Sequence, residues 1–464
     1  MPLARLLVFL LLSAMTLGAW AQGLPPEVEA ALARAKLPAE ALSVVVVDAE
    51  GRLPPRLSHR AGVPVSPASI AKLATTFAAL ELLGPAFTWS TPVYVEGAVR
   101  DGTLYGNLYI KGQGDPKLVA ERLWLLLRRV QGLGIRSITG DIVLDSSAFD
   151  IGTPDPSAFD GEPLRPYNAA PNALLLNFKS LMLTFTPQDG QARIHLEPPL
   201  AGVALPDSVA LAGGECNDWR GALKADFSDP ARVRFAGSYP AACGERTWPI
   251  AYIDPRSYAA RAVAGMWQQI GGSLTGQVRG GRVPSALAPS FEQASPPLAE
   301  VIRDINKFSN NVMAQQLFLT LGLQLAGAGT FDAARGVIQQ WWRQRFGEDA
   351  PSFVNGSGLS REERITAAQL ARLLQAAWAS PLMPELMASL PVAGIDGTMR
   401  RTRGKAVGLA HLKTGSLRDV LGVAGYVQGA SGRRYILVAI ANHPLAHAAR
   451  PAIEALIEWV ARDS

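Results

Sequence analysis

The chain has 464 residues, 48% of them hydrophobic and 18% charged, with a formal net charge of +5. That length holds two or three domains and a sizeable core, and that balance excludes a disordered or fibrous chain. The positive charge suits anionic partners such as cell wall, but no Lys/Arg cluster interleaves with aromatics, so nucleic-acid binding has no support in the sequence.

Met1 to Arg5 is a short basic start, Leu6 to Leu17 is apolar, and Ala19-Trp20-Ala21 places small residues where a signal peptidase reads. These features predict a signal peptide over residues 1–21, cut between Ala21 and Gln22, and a periplasmic location. The run is too short to span a bilayer comfortably, and no later segment reaches transmembrane length, so no stable membrane insertion is expected. In an exported chain, a lone pair of cysteines, Cys216 and Cys243, reads as a disulfide. The five histidines show no metal-ligand spacing, so neither a metal site nor a cofactor is expected.

Pro25 to Ala35 reads as a short helix, and the β-branched run Leu42 to Asp48 as a buried strand. A helix opens near Pro67 and ends at Gly84. From about Thr91 the texture becomes β-rich, with short runs at Val93 to Val95, Leu104 to Lys111, Ser137 to Leu144, Met182 to Thr186, Ala192 to Leu196 and Arg232 to Gly237. One helix, about Pro116 to Leu133, interrupts them. Gly112 to Pro116 lacks the remaining glycines and the Lys-Ser/Thr ending of a phosphate loop and reads as a turn; Asp150 to Tyr167 reads as a loop.

Helical periodicity returns at Tyr258 to Ile270, Pro297 to Phe308, Asn310 to Gly322, Phe331 to Phe346 and Thr366 to Trp378. Leu409 to Lys413, Leu421 to Val427 and Tyr435 to Ala441 suggest an antiparallel meander, and Ala446 to Ala461 an amphipathic helix covering it. The expected division is a discontinuous domain, residues 22–92 plus 258–464, with a β-rich insert over 93–257.

Three short elements carry chemistry. Ser69 and Lys72, one helical turn apart, place a hydroxyl beside an amine that can activate it. Ser309-Asn310-Asn311 offers a second hydroxyl able to relay a proton, and an amide to hold substrate or orient Lys72. Lys413-Thr414-Gly415-Ser416 ends a strand with a cation and a hydroxyl for a substrate carboxylate, and a glycine that keeps the strand edge open. The N–H groups of Ser69 and Ser416 are candidates for an oxyanion hole. Each element alone reads as a cap or turn; together and in this order they form a set.

The set resembles the S-x-x-K, S-D-N and K-T-G elements of penicillin-binding proteins and serine β-lactamases, with Asn310 where Asp is usual. The gap from Ser69 to Ser309 is too long for a compact β-lactamase. Within the superfamily, the chain resembles the D-alanyl-D-alanine carboxypeptidase/endopeptidase family of low-molecular-mass class C penicillin-binding proteins. Further matches are Gly106-Asn107-Leu108-Tyr109 through Gly114-Asp115-Pro116, Gly140 to Val143, Asn355 to Arg361, and Gly394 to Thr398.

The resemblance implies an α/β (α+β) β-lactamase/transpeptidase-like domain, an antiparallel sheet flanked by helices, interrupted by a large insert. It implies acylation of Ser69 by peptidoglycan stem peptides, with Lys72 as base, Ser309 and Asn311 assisting, and Lys413 with Thr414 on the terminal carboxylate. β-Lactam antibiotics are the implied inhibitors. For a diaminopimelate side chain it offers Glu162 and Tyr167, by their spacing, with Arg361 and Leu417. Two other readings stand beside it: a β-lactamase or esterase using the same serine, and a non-catalytic cell-wall binding module on the same fold.

Overall fold

A computed structural model describes residues 23–463. The leader read at residues 1–21 therefore lies outside the described residues. Among the described residues, no helix is long and apolar enough to cross a membrane.

The two ends of the chain build one sheet. The strands Ala410–Leu417, Val420–Gln428 and Arg434–Asn442 form the expected meander, and Leu42–Asp48 adds to its far side, followed by Leu57–His59. Leu42 faces Ala441 and Asp48 faces Tyr435 in antiparallel register. Val44 to Val47 is continuously apolar because both faces of this sheet are covered. Val45 and Val47 turn toward a helical core; Val44 and Val46 turn toward the terminal helices Pro26–Arg34 and Arg450–Ala461. The last helix thus covers the sheet, burying Ile453, Leu456, Ile457 and Val460.

The helical core holds Lys72–Leu83, Leu298–Lys307, Asn311–Ala326, Phe331–Phe346 and Ala367–Trp378. Lys72 through Leu80 and Asn311 through Gly322 are buried all round, as befits central helices. A short helix at Met383–Ser389, which the periodicity did not announce, packs beside Leu298–Lys307.

The insert contains two larger sheets. The first is built on the hairpin Ser90–Arg100 and Thr103–Lys111, closed by Asp101-Gly102, both at positive φ (48° and 80°). The second contains the hairpin Ser180–Gln188 and Gln191–Glu197, closed in the same way by Asp189-Gly190. Cys216 and Cys243 are bonded and pack beside this second sheet, around Phe185 and Tyr239. The single strand expected over Ser137 to Leu144 is two, Ser137–Ile138 and Ile142–Asp145, because Gly140 lies directly on the Gly106 backbone.

Packing changes later than the boundary expected at residue 257. Tyr258, Ala262, Val263, Met266 and Trp267 share an apolar cluster with Leu104, Leu108 and Leu123. Ser273–Leu274, Val278–Gly280 and Phe291–Ala294 are strands of the first insert sheet. The physical unit that includes the insert therefore runs from about Ser90 to about Ala294. The reason is pairing: Ala294 returns to sit opposite Ser90.

Candidate active site

Ser69 sits in a tight 3-10 turn, Ala68–Ala71, and the α-helix begins only at Lys72. The turn is held from several sides. Asn442 accepts from Ser66 N–H at 2.8 Å and donates to Ser66 O at 3.1 Å, tying the turn to the sheet. Ala68 has φ of +47°, unfavourable for a residue with a Cβ. Its carbonyl lies where a Cβ on Gly358 would stand, 1.9 Å away, and Gly358 itself has φ of +78°. A Cβ on Gly415 would come within 2.7 Å of Pro67 O. Gly415 therefore serves the close approach of its strand to the turn that carries Ser69, a role different from the open strand edge that the sequence suggested.

Lys72 is fully buried. Its Nζ donates to Ser69 Oγ at 3.0 Å, Asn311 Oδ1 at 2.7 Å and Ser357 O at 2.5 Å. Burial brings its pKa from 10.5 down to about 7, opposed by the charge of Glu363. An amine near neutrality can surrender its proton, after which its lone pair accepts the Ser69 hydroxyl hydrogen. Glu363 is buried too, and burial pushes its carboxyl up. It accepts from the N–H groups of Val354 and Asn355, fixing the loop that presents Ser357 O.

Ser309 has φ of +56°, at the junction of two helices. Its Oγ accepts from Lys413 Nζ at 2.8 Å. Asn310 caps the next helix, its Oδ1 accepting from Met313 N–H at 3.0 Å. Aspartate caps equally well, which accounts for the departure at this position. Asn311, the first residue of that helix, is the amide that orients Lys72. Lys413 is fully buried; burial, and then the neighbouring Lys72, hold its pKa well below the usual lysine value. Its Nζ also donates to Thr414 O, and Thr414 Oγ1 donates to Thr398 Oγ1 at 2.8 Å.

These groups open into a cleft of about 550 Å³ lined by Ser69, Ser309, Asn311, Ser416, Leu417 and Phe308 on the sheet-and-helix side. Phe159, Asp160 and Tyr167 of the insert, together with Leu359 and Arg361, close the other side. Asn311 Nδ2 donates across this junction to Tyr167 O at 3.3 Å. Farther along the same helix, Gln316 bonds the backbone of Gly114 and Asn172, which gives the Gly112 to Pro116 turn a docking role.

Of the two residues that the spacing paired, Tyr167 lines the cleft and Glu162 does not. Glu162 is exposed, lies 3.5 Å from Arg165, and is not among the residues lining the cleft. Asp160 takes that place. Its carboxylate accepts from Tyr167 Oη at 2.9 Å and Asn168 Nδ2 at 2.7 Å. Burial works against its charge, but these hydrogen bonds hold its pKa below the usual carboxylate value. Arg361 stacks its guanidinium 5.0 Å from the Phe159 ring. The sequence reading missed Asp160, Ser357, Glu363 and Thr398. Ser357 and Thr398 stand inside quoted matches; Glu363 gave no local signal.

The sequence model of the D-Ala-D-Ala carboxypeptidase 3 (S13) family matches residues 24–463. A D-alanyl-D-alanine carboxypeptidase of Actinomadura sp. (strain R39) is 30% identical over 439 residues, covering 89% of this chain and 80% of the relative. The crystal structure of penicillin binding protein 4 from Haemophilus influenzae superposes with a TM-score of 0.71 at 22% identity, over 93% of this chain and 99% of that one. Its complex with a β-lactam gives 0.69 at the same identity, over 93% and 100%. A predatory endopeptidase from Bdellovibrio bacteriovorus, in complex with an immunity protein, gives 0.52 at 16% identity, over 90% and 89%.

Proposed function

Because the chain belongs to the D-Ala-D-Ala carboxypeptidase 3 (S13) family and is a serine-type carboxypeptidase, we propose that Ser69 is its nucleophile and Lys72 its general base. The observation that carries this reading is the buried Lys72 amine, with a pKa near 7, placed 3.0 Å from Ser69 Oγ.

Neutral Lys72 takes the Ser69 proton as Oγ attacks the penultimate D-alanine carbonyl of a stem peptide. The N–H groups of Ser69 and Ser416 receive the oxyanion. The terminal carboxylate meets Thr414 and Lys413, and its negative charge favours the protonated form of the Lys413 amine, which burial disfavours. Ser309, bonded to Lys413, relays the proton to the leaving amine. Water then releases the shortened peptide. A β-lactam acylates the same serine and leaves it slowly, as the family's penicillin binding suggests.

The substrate range extends to D-Ala-diaminopimelate cross-links. Asp160 and Arg361, an acid and a base on the insert side of the cleft, suit the amine and carboxylate of a diaminopimelate side chain, with Tyr167 holding Asp160. Leu417 contributes an apolar wall. The protein works in the periplasm after cleavage at Ala21, and N-terminal sequencing of the secreted form tests that site.

Mass spectrometry after penicillin treatment tests the whole reading. One adduct on the peptide bearing Ser69, lost in Ser69→Ala together with release of D-alanine, is the expected result. Rapid steady turnover of nitrocefin without a lasting adduct marks a β-lactamase instead. Absence of both activities from the folded protein marks a binding module.

A further inference from the structure

A groove begins beside the catalytic cleft and runs over the strand Ala410–Leu417. Its volume is about 430 Å³, and that strand, the segment 398–402 and the helix Arg450–Ala461 wall it. Ser416 lines both the cleft and the groove, and Thr414, the proposed carboxylate ligand two residues before it, lines the groove as well. The groove thus starts where the leaving group of the reaction must go.

Its chemistry is specific. Ile453, Ile457 and Leu421 contribute an apolar floor, while Arg401, Arg450 and Glu454 bring charge to its walls. Among the described residues, none of these three charged side chains takes part in a salt bridge. Arg400, Arg403 and Lys405 are exposed next to Arg401, so one lip of the groove is a dense positive segment. Clustered unpaired cations beside an apolar trough fit an acidic peptide. A single released alanine leaves most of this space empty.

We propose that this groove holds the leaving strand of a cross-linked substrate: a second stem peptide whose carboxylates pair with Arg401 and Arg450 and whose methyl groups lie on the apolar floor. The inference rests on the peptidase reading above and adds a determinant of cross-link cleavage on the leaving side of the scissile bond. A monomeric peptide ending in D-Ala-D-Ala does not reach these residues. Arg401 and Arg450 therefore separate the two activities.

The experiment compares the wild-type protein with Arg401→Ala, Arg450→Ala and the double variant on two substrates. One is a soluble monomeric pentapeptide ending in D-Ala-D-Ala; the other is a purified cross-linked muropeptide dimer. For the double variant, kcat/KM on the dimer is expected to fall about ten-fold or more, with the monomer within about two-fold, and the difference to shrink in high salt. Penicillin acylation of Ser69 at the wild-type rate controls for folding. Equal losses on both substrates, no loss on the dimer, or a wild-type protein that cleaves the monomer but not the dimer each overturn the proposal. A wild-type protein that cleaves neither and is not acylated overturns the peptidase reading itself, and the groove's occupant with it.

Discussion

Lys72 illustrates how much of this site is made by burial. A surface lysine is a cation at neutral pH and useless as a base. Enclosed by Ser69, Asn311 and Ser357 O, it has a pKa of about 7. The neutral fraction grows as pH rises through that value, so the rate of penicillin acylation should climb from pH 5 to pH 8 with a midpoint near 7. Stopped-flow labelling with a fluorescent penicillin checks this, and a profile that is flat or falls with pH refutes Lys72 as base. Ser69→Ala should lower D-Ala-D-Ala hydrolysis by about a thousand-fold or more with an unchanged circular dichroism spectrum. Ser69, Lys72, Ser309, Asn311 and Lys413 were all legible in the sequence as candidates because each lies in a short motif. The pairing of Ser309 with Lys413 was not legible, since the two are 104 residues apart.

Helices and turns were largely readable from local signals. Thr366 and Gln369 form a reciprocal capping box at the start of their helix. Asn310 caps the helix that carries Asn311. Asn310→Ala should cost about 1 kcal/mol in urea unfolding, whereas Asn310→Asp should keep both stability and acylation. Gly358 is a harder constraint, because it combines positive φ with backbone contact at the turn that carries Ser69. Gly358→Ala should cost at least about 1–3 kcal/mol from strain alone and displace Ser69, so acylation should fall even where the protein remains folded. Wild-type acylation by this variant would show that the contact does not position the serine. The strands at residues 273–294 went unread. They are two to four residues long and half exposed, so they lack a periodic pattern, and their pairing partners lie far away in sequence.

In the whole molecule, the insert and the sheet-and-helix unit meet at the cleft, through Tyr167 on Asn311 and Asn172 on Gln316. The disulfide lies in a different cluster, around Phe185 and Tyr239. It closes a separation of 27 residues, which contributes roughly 3–4 kcal/mol to the insert in the chain-entropy model. Reduction should lower the melting temperature of the insert while leaving penicillin acylation of Ser69 largely intact; simultaneous loss of both would show that the two units are one cooperative block. The amino-acid sequence alone singled out the proposed nucleophile set, its order along the chain and the meander beside it, because those rest on side-chain chemistry at short spacing and on apolar runs. Only the tertiary structure decided that Asp160 rather than Glu162 faces the cleft, that the insert's unit extends to about Ala294, and that burial takes Lys72 to a pKa near 7. Each of those depends on which distant segments meet, by strand pairing, at a cleft or in burying a side chain, and short spacing along a chain does not encode that.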